Sequence, residues 1–300
     1  MVWNGRHFLD LADLDRNEIV NLMQRASNFL EAEEYGLSPS SLLKGKIIAN
    51  LFFENSTRTR CSFTIATKRL GGEVLDLLGE TSSASKGETL TDTALNLEAM
   101  GVAAIVIRCS EDGGPAAIAE HVSIPVINAG NGISGHPTQA LLDALTLTRY
   151  FGTENLSGQH VAIVGDIAHS RVARSNIKGL QILGAKVTLV GPKDLLPDDL
   201  GVDTSTDFDG VLSTAGCVMM LRVQFERNAT VGENYREKFG LTVKRAKNYK
   251  GAIMHPGPIN RGLEIDNEVA ELTGSGRNLI LSQVTNGVAA RMAVLEHLLG

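Results

Sequence analysis

Apolar positions follow two rhythms along the chain. Ile19, Leu22, Met23, Ala26, Phe29 and Leu30 recur at the helical period, which predicts a one-faced surface helix with a structural role. Asp15 and Glu18 stand ahead of it at capping-box spacing, with Asp in place of the usual Ser or Thr. Ile47 to Phe53 is instead a compact apolar run after Gly45, the pattern of a buried strand. Ser56 to Leu70 then predicts a helix that ends at Gly71-Gly72. The alternation continues with a strand over Val74 to Leu78, a helix over Thr89 to Met100 and a strand over Val102 to Ile107. Pro125 to Asn128 predicts a further strand and Pro137 to Phe151 a long helix.

The second half repeats the rhythm. Strands are predicted over His160 to Val164, Lys186 to Val190, Val218 to Leu221 and Ala252 to Met254. Helices are predicted over Arg171 to Leu183, stopped by Gly184, over Tyr235 to Ala246 and over Gln283 to Leu299. Strand–helix alternation in both halves implies an α/β protein with two doubly wound domains and mostly parallel sheets. Such sheets bind ligands beyond the carboxyl ends of their strands. The helix after His136 would link the halves, and the cleft between them is the expected site.

Composition narrows the function classes. Hydrophobic residues make up 43% and charged residues 21%, enough apolar material for two cores. A net charge of -6 argues against nucleic-acid binding and requires any anion site to be a local basic cluster. Cys61, Cys109 and Cys217 form neither C-x-x-C nor a zinc spacing, so buried free thiols in a reducing compartment are expected, and no metal. No apolar run approaches the roughly 20 residues of a membrane helix, and the first residues show no signal pattern. Together these imply a cytoplasmic protein without membrane contact.

Several polar clusters sit directly after predicted strands. Ser56-Thr57-Arg58-Thr59-Arg60 opens a helix, where backbone N–H groups, hydroxyls and a guanidinium can cradle a phosphate. Its plain alternative is helix capping followed by solvated arginines. His136-Pro137-Thr138-Gln139 stands at another helix start. The histidine could donate to a carbonyl oxygen and the glutamine could bind an amide; a capping His before a first-turn Pro is the plain alternative. Arg108 follows the strand Val102 to Ile107 and either enters the cleft or is a surface charge. Ser82 to Glu88 is a small polar loop, either inert or a lid that delivers Lys86.

In the second half, residues 165–170 read G-D-I-A-H-S where a dinucleotide fold would place G-x-G-x-x-G. The missing glycines argue against a dinucleotide-dependent dehydrogenase, and Arg171 suggests a carboxylate ligand instead. Arg222-Val223-Gln224 and His255-Pro256-Gly257-Pro258 follow the next strands, the latter a stiff turn able to present a backbone carbonyl.

In order and spacing these clusters resemble one family over essentially the whole chain, the aspartate carbamoyltransferase catalytic chains. The matching stretches are F-F-E-N-S-T-R-T-R (52–60), S-K-G-E-T-L-T-D-T (85–93), H-P-T-Q-A-L-L-D (136–143), V-G-D-I-A-H-S-R-V-A-R-S-N (164–176), R-V-Q-F-E-R (222–227) and H-P-G-P-I-N-R-G (255–262). S-T-R-T-R and H-P-x-Q are shared with ornithine carbamoyltransferases. The R-V-Q and H-P-G-P segments belong to the aspartate branch, and the serine-methionine-glycine and H-C-L-P segments of the ornithine branch do not occur. Some family members carry leucine at Gly257; the carbonyl role does not depend on that side chain.

The resemblance implies transfer of a carbamoyl group from carbamoyl phosphate to L-aspartate, in pyrimidine biosynthesis, without a cofactor. Ser56, Thr57, Arg58, Thr59 and Arg108 would hold the phosphate. Thr59, Arg108 and His136 would polarise the carbonyl, while Gln139 and the Pro256-Gly257 turn would position the carbamoyl NH₂. Arg171, Arg222 and Gln224 would bind the aspartate carboxylates. Ser82 and Lys86 would come from a neighbouring subunit, which implies a homotrimer with shared sites. A larger assembly with regulatory chains or dihydroorotase stays open. The implied domains are 1–135 plus 285–300 for carbamoyl phosphate, a linking helix over 136–150, and 151–284 for aspartate, with the C-terminal helix returning to the first domain. Two other readings stay open: a different amine acceptor such as ornithine, and a non-catalytic homologue that binds a partner.

Overall fold

The computed structural model describes residues 5–34, 36, 41–78, 89–227, 229–271 and 276–300. These divide into two compact units, Met1–Leu145 with Val284–Gly300, and Thr146–Gln283.

The first unit opens with α1 (Arg16–Glu34), whose start carries the capping box: Glu18 N donates to Asp15 Oδ1 at 2.9 Å and Asp15 N to Glu18 Oε2 at 2.6 Å. Ile19, Leu22, Met23, Ala26 and Phe29 form its buried face. Then come β1 (Ile47–Phe52), α2 (Thr57–Arg69), β2 (Glu73–Leu78), α3 (Leu90–Ala99), β3 (Ala104–Cys109), α4 (Gly114–Ala119) and β4 (Val126–Asn131). The strands pair in parallel in the order β2-β1-β3-β4. Alternate residues point to opposite faces of a strand. Ala49, Leu51, Ile105 and Ile107 therefore share one core with Ala94 and Leu97 of α3 and Ile118 of α4. Asn50 points the other way and donates to Thr64 of α2 at 3.3 Å and to Asp76 at 2.9 Å.

Chain 146–283 carries the second sheet. After α5 (Pro137–Phe151) come β5 (His160–Val164), α6 (Arg171–Ile182), β6 (Lys186–Val190), β7 (Asp203–Ser205), α7 (Phe208–Leu212), β8 (Cys217–Met220), α8 (Tyr235–Phe239), α9 (Val243–Asn248), β9 (Ala252–Met254), α10 (Asn267–Ala270) and α11 (Ile280–Leu299). The order is β7-β6-β5-β8-β9, again all parallel. Ala162, Val164, Val218, Met220 and Ile253 pack with Phe208, Phe239, Ala246 and Val269 of the four short helices. Residues 284–300 of α11 belong to the first unit.

Three expectations need correction. Tyr235 to Ala246 is two short helices, because Leu241 N donates to Glu264 O at 2.9 Å and Thr242 starts α9 as an N-cap. β3 runs two residues further than expected, so Arg108 lies inside the strand opposite Phe52. Cys61 is exposed on α2 rather than buried; Cys109 and Cys217 are buried, and all three are free.

Candidate functional site

Within the first unit the polar residues converge on the ends of β1, β3 and β4. β1 closes against β3 through Phe53 N, which donates to Arg108 O at 2.9 Å. The chain then turns into α2 at Ser56, whose extended backbone marks the N-cap. The Ser56 hydroxyl makes no capping hydrogen bond. That contrasts with Ser170 before α6, which accepts from Ala173 N at 3.1 Å. The hydroxyl of Ser56 thus is not consumed by the helix. Thr57 and Arg58 are exposed on the first turn, whereas Thr59 is buried.

His136 precedes Pro137, the first residue of α5, and its carbonyl accepts from Gln139 N at 3.0 Å. It is buried, and its Nε2 lies 3.4 Å from Thr59 Oγ1. The approach to His136 is fixed by Asp112, whose Oδ1 accepts from Ile133 N, Ser134 N and Ser134 Oγ at 3.0, 3.1 and 2.6 Å. A Cβ on Gly132 would fall 2.0 Å from the same oxygen, so only glycine fits that turn. Arg108 Nε donates to Glu54 at 3.2 Å, and both side chains are mostly buried. Gln139 is buried and its Nε2 donates to Asp143 Oδ1 at 2.9 Å.

In the second unit, Asp166 gathers two of the predicted segments. It is fully buried; one oxygen accepts from His169 N at 3.3 Å and His169 Nδ1 at 2.8 Å, the other from Gln224 N at 3.1 Å. The carbonyl of His169 accepts in turn from Gln224 Nε2 at 2.8 Å and Arg227 at 3.0 Å. The turn that leads to Arg171 and the loop that carries Arg222 and Gln224 are thereby one hydrogen-bonded body. Arg171 is the first residue of α6 and is buried. Arg222 is paired with Glu226 one turn on. Burial raises the Glu226 carboxyl, but the hydrogen bond from Arg222, a backbone N–H and the charges of Arg222 and Arg227 together hold it below its ordinary range.

The turn after β9 is built on His255. Its Nδ1 accepts from Gly257 N at 2.8 Å, so the ring proton belongs on Nε2, which faces Glu264 Oε1 at 3.4 Å. Gln283 Oε1 accepts from His255 N at 2.9 Å, and Glu264 also accepts from Asn260 N at 2.5 Å. Pro256 and Gly257 stay partly exposed at the apex. Burial, with the carboxylates of Glu264 and Asp166, pushes the Tyr235 hydroxyl well above its ordinary value, so it stays protonated.

Ser82 and Lys86 lie outside the described residues. Asp112, Asp143, Glu264 and Gln283 were not singled out by the sequence. Only Asp143 carried a usable signal: it stands four residues after Gln139 on one helix, the spacing at which Gln and Asp side chains meet. Among the described residues no group of three or more His, Cys, Asp or Glu could hold a metal ion. No described helix is long and apolar enough to cross a membrane.

Two family models match. The aspartate/ornithine carbamoyltransferase carbamoyl-P binding domain matches residues 6–149, and the Asp/Orn binding domain of the same family matches residues 157–298. The aspartate carbamoyltransferase catalytic subunit of Myxococcus xanthus is 48% identical over 97% of this chain and 98% of its own. Among solved structures, the catalytic subunit of M. jannaschii aspartate transcarbamoylase superposes with a TM-score of 0.87 at 32% identity, covering 98% of this chain and 97% of that one. Aspartate transcarbamoylase from Trypanosoma cruzi, in complex with carbamoyl phosphate and aspartate, gives a TM-score of 0.88 at 29% identity over 99% and 97%. The chain belongs to the aspartate/ornithine carbamoyltransferase family.

Proposed function

We infer that the chain transfers the carbamoyl group of carbamoyl phosphate to the α-amine of L-aspartate, giving N-carbamoyl-L-aspartate and phosphate, a reaction of pyrimidine biosynthesis. The observation that carries this reading is the approach of Thr59 Oγ1 to His136 Nε2 at 3.4 Å, beside a helix N-terminus whose Ser56 hydroxyl does no capping. A carbonyl oxygen needs convergent donors, and a phosphate needs backbone N–H groups with a guanidinium. Both demands meet at the start of α2.

In this reading Ser56, Thr57, Arg58, Thr59 and Arg108 take the phosphate. Thr59, Arg108 and His136 stabilise the oxyanion that forms as the amine nitrogen bonds to the carbamoyl carbon. The bond from that carbon to the phosphate oxygen then breaks, and the proton lost by the amine has the departing phosphate as its acceptor. Gln139 and the Pro256 carbonyl hold the carbamoyl NH₂. Arg171, Arg222 and Gln224 bind the two carboxylates, the side chain of Gln224 being already oriented by His169 O. Residues 1–135 with 285–300 serve carbamoyl phosphate, 151–284 serve aspartate, and 136–150 link them. Ser82 and Lys86 reach the site of a neighbouring copy, so the active form is a homotrimer, in the cytoplasm.

The test is product formation by the purified chain with carbamoyl phosphate and either aspartate or ornithine. Carbamoyl-aspartate alone is expected. Citrulline alone would overturn the roles of Arg171 and Arg222, and no product from either would overturn the transfer reading.

A further inference from the structure

One buried arginine touches the elements that carry the phosphate turn and the amide. Arg291 of α11 is 3% exposed, and its guanidinium lies 5.1 Å over the ring of Phe63 on α2, the helix that begins with the Ser56–Thr59 turn. Its Nη1 donates to Gly287 O at 2.9 Å. A Cβ on Gly287 would fall 2.8 Å from that nitrogen and 3.2 Å from Leu142 Cδ2, so the glycine makes the room the guanidinium occupies between α11 and α5. Burial pushes the Arg291 pKa down to about 10 while Asp143, also fully buried, raises it, so the guanidinium remains charged at neutral pH. That charge compensates a carboxylate that solvent does not reach.

A carboxyl oxygen such as Asp143 Oδ1 accepts hydrogen bonds from N–H donors. Asp143 therefore fixes which end of the Gln139 amide it takes, and it takes the nitrogen, at 2.9 Å. The Gln139 oxygen is left at the far side of the amide as an acceptor. A carbamoyl group offers an NH₂ donor to such an acceptor, and an acetyl group of the same shape offers only CH₃.

We propose that Asp143, compensated by Arg291, is a positioning residue that orients the Gln139 amide so that its oxygen selects a carbamoyl over an acetyl group on the phosphate substrate. The proposal rests on the transfer reading above. It makes acyl-group selectivity a property of a carboxylate that does not touch the substrate.

The experiment measures binding of carbamoyl phosphate, acetyl phosphate and inorganic phosphate to wild type, Asp143→Asn, Asp143→Glu, Gln139→Ala and the Asp143→Asn/Gln139→Ala double variant. Asparagine can donate to the glutamine oxygen, which lets the amide turn over and oppose its NH₂ to that of the substrate. The preference for carbamoyl over acetyl phosphate is expected to fall roughly tenfold in Asp143→Asn, the scale of one hydrogen bond lost. Phosphate affinity should change less than twofold, and Asp143→Glu should recover most of the preference. In the Gln139→Ala background, Asp143→Asn should change the preference no further. Equal loss for all three ligands, an unchanged preference, or additive effects in the double variant would each overturn the proposal. If Asp143→Asn does not fold, hydrogen exchange of the Gln139 side-chain amide in wild type decides. Slow exchange is expected, and exchange at the rate of a solvated amide overturns the proposal. Wild-type protein that binds carbamoyl phosphate but forms no carbamoyl-aspartate would instead refute the transfer reading.

Discussion

Thr59 Oγ1 lies 3.4 Å from His136 Nε2, although 77 residues separate them in the chain. Both are buried, and both stand at a strand-to-helix junction of one parallel sheet. Two donors that converge on one carbonyl oxygen act as a unit. Removing either one is expected to lower kcat by about 10²-fold, the scale of one preorganised donor. The double variant should lose less than the product of the single losses, because neighbouring groups are coupled. Steady-state kinetics of Thr59→Ala, His136→Ala and the pair check this. Fully multiplicative losses would show that the two serve different atoms.

The sequence revealed these junctions because a strand buried on both faces is a compact apolar run, and Ile47 to Phe53 is unmistakably one. It also showed the start of α2, where Ser56-Thr57-Arg58 interrupts the apolar pattern. Elements made by tertiary contact were not legible. Tyr235 to Ala246 has helical composition, yet it is broken where Leu241 N reaches Glu264 O. β7 is a polar three-residue edge strand, too short to leave a period. Asp112 and Glu264 escaped notice for a related reason. Asp112 organises its turn by accepting two backbone N–H groups and Glu264 its turn by accepting one from Asn260 and the ring N–H of His255, and that use leaves no residue pattern.

Asp166 is expected to govern aspartate affinity without touching aspartate. Its carboxylate holds His169 and the backbone of Gln224, so Asp166→Ala frees the loop that carries Arg222 and Gln224. The aspartate KM should rise at least ~10-fold, and the carbamoyl phosphate KM should stay within about twofold. Unfolding should be easier by about 1–3 kcal/mol, the cost of unpaired buried donors. A matched rise in both KM values would contradict the assignment of Asp166 to the aspartate side alone.

Stability should fall as pH drops below about 6.5, the ordinary histidine value. His7 is buried and its Nδ1 accepts from Val126 N at 3.2 Å; burial and the neighbouring Arg6 lower its pKa. A histidine whose folded pKa is depressed binds its proton more readily when unfolded. Its contribution is present above the unfolded pKa and is lost as pH falls through it, until the folded pKa is passed. His160 and His297 are lowered by burial too and have the same sign. The carboxyls of Glu98 and Asp209 lie below their ordinary values, and their contributions fade only at lower pH. Thermal unfolding at pH 7.5 and 5.5 should show a drop in Tm. In His7→Asn, whose Oδ1 can take the place of Nδ1, the drop should be smaller. An equal drop in the variant would remove His7 from the account.

Arg58 and Lys86 provide the sharpest test of where the site is completed. Arg58 is exposed on the first turn of α2, where a guanidinium can meet a phosphate, and Arg58→Ala is expected to lose at least ~10²-fold in kcat. Near-wild-type kcat in a folded variant would remove it from the site. Lys86 lies outside the described residues, and its proposed place is the site of a neighbouring copy. If one copy supplies Arg58 and the next supplies Lys86, then mixing inactive Arg58→Ala chains with inactive Lys86→Ala chains creates hybrids in which some sites have both residues intact. Those hybrids should regain activity that neither parent has. A site built from one chain gives no such recovery, because every site in the mixture still lacks one of the two residues. Hybrids verified by native mass spectrometry that stay inactive would therefore place Lys86 and Arg58 in the same copy, or Lys86 outside the site.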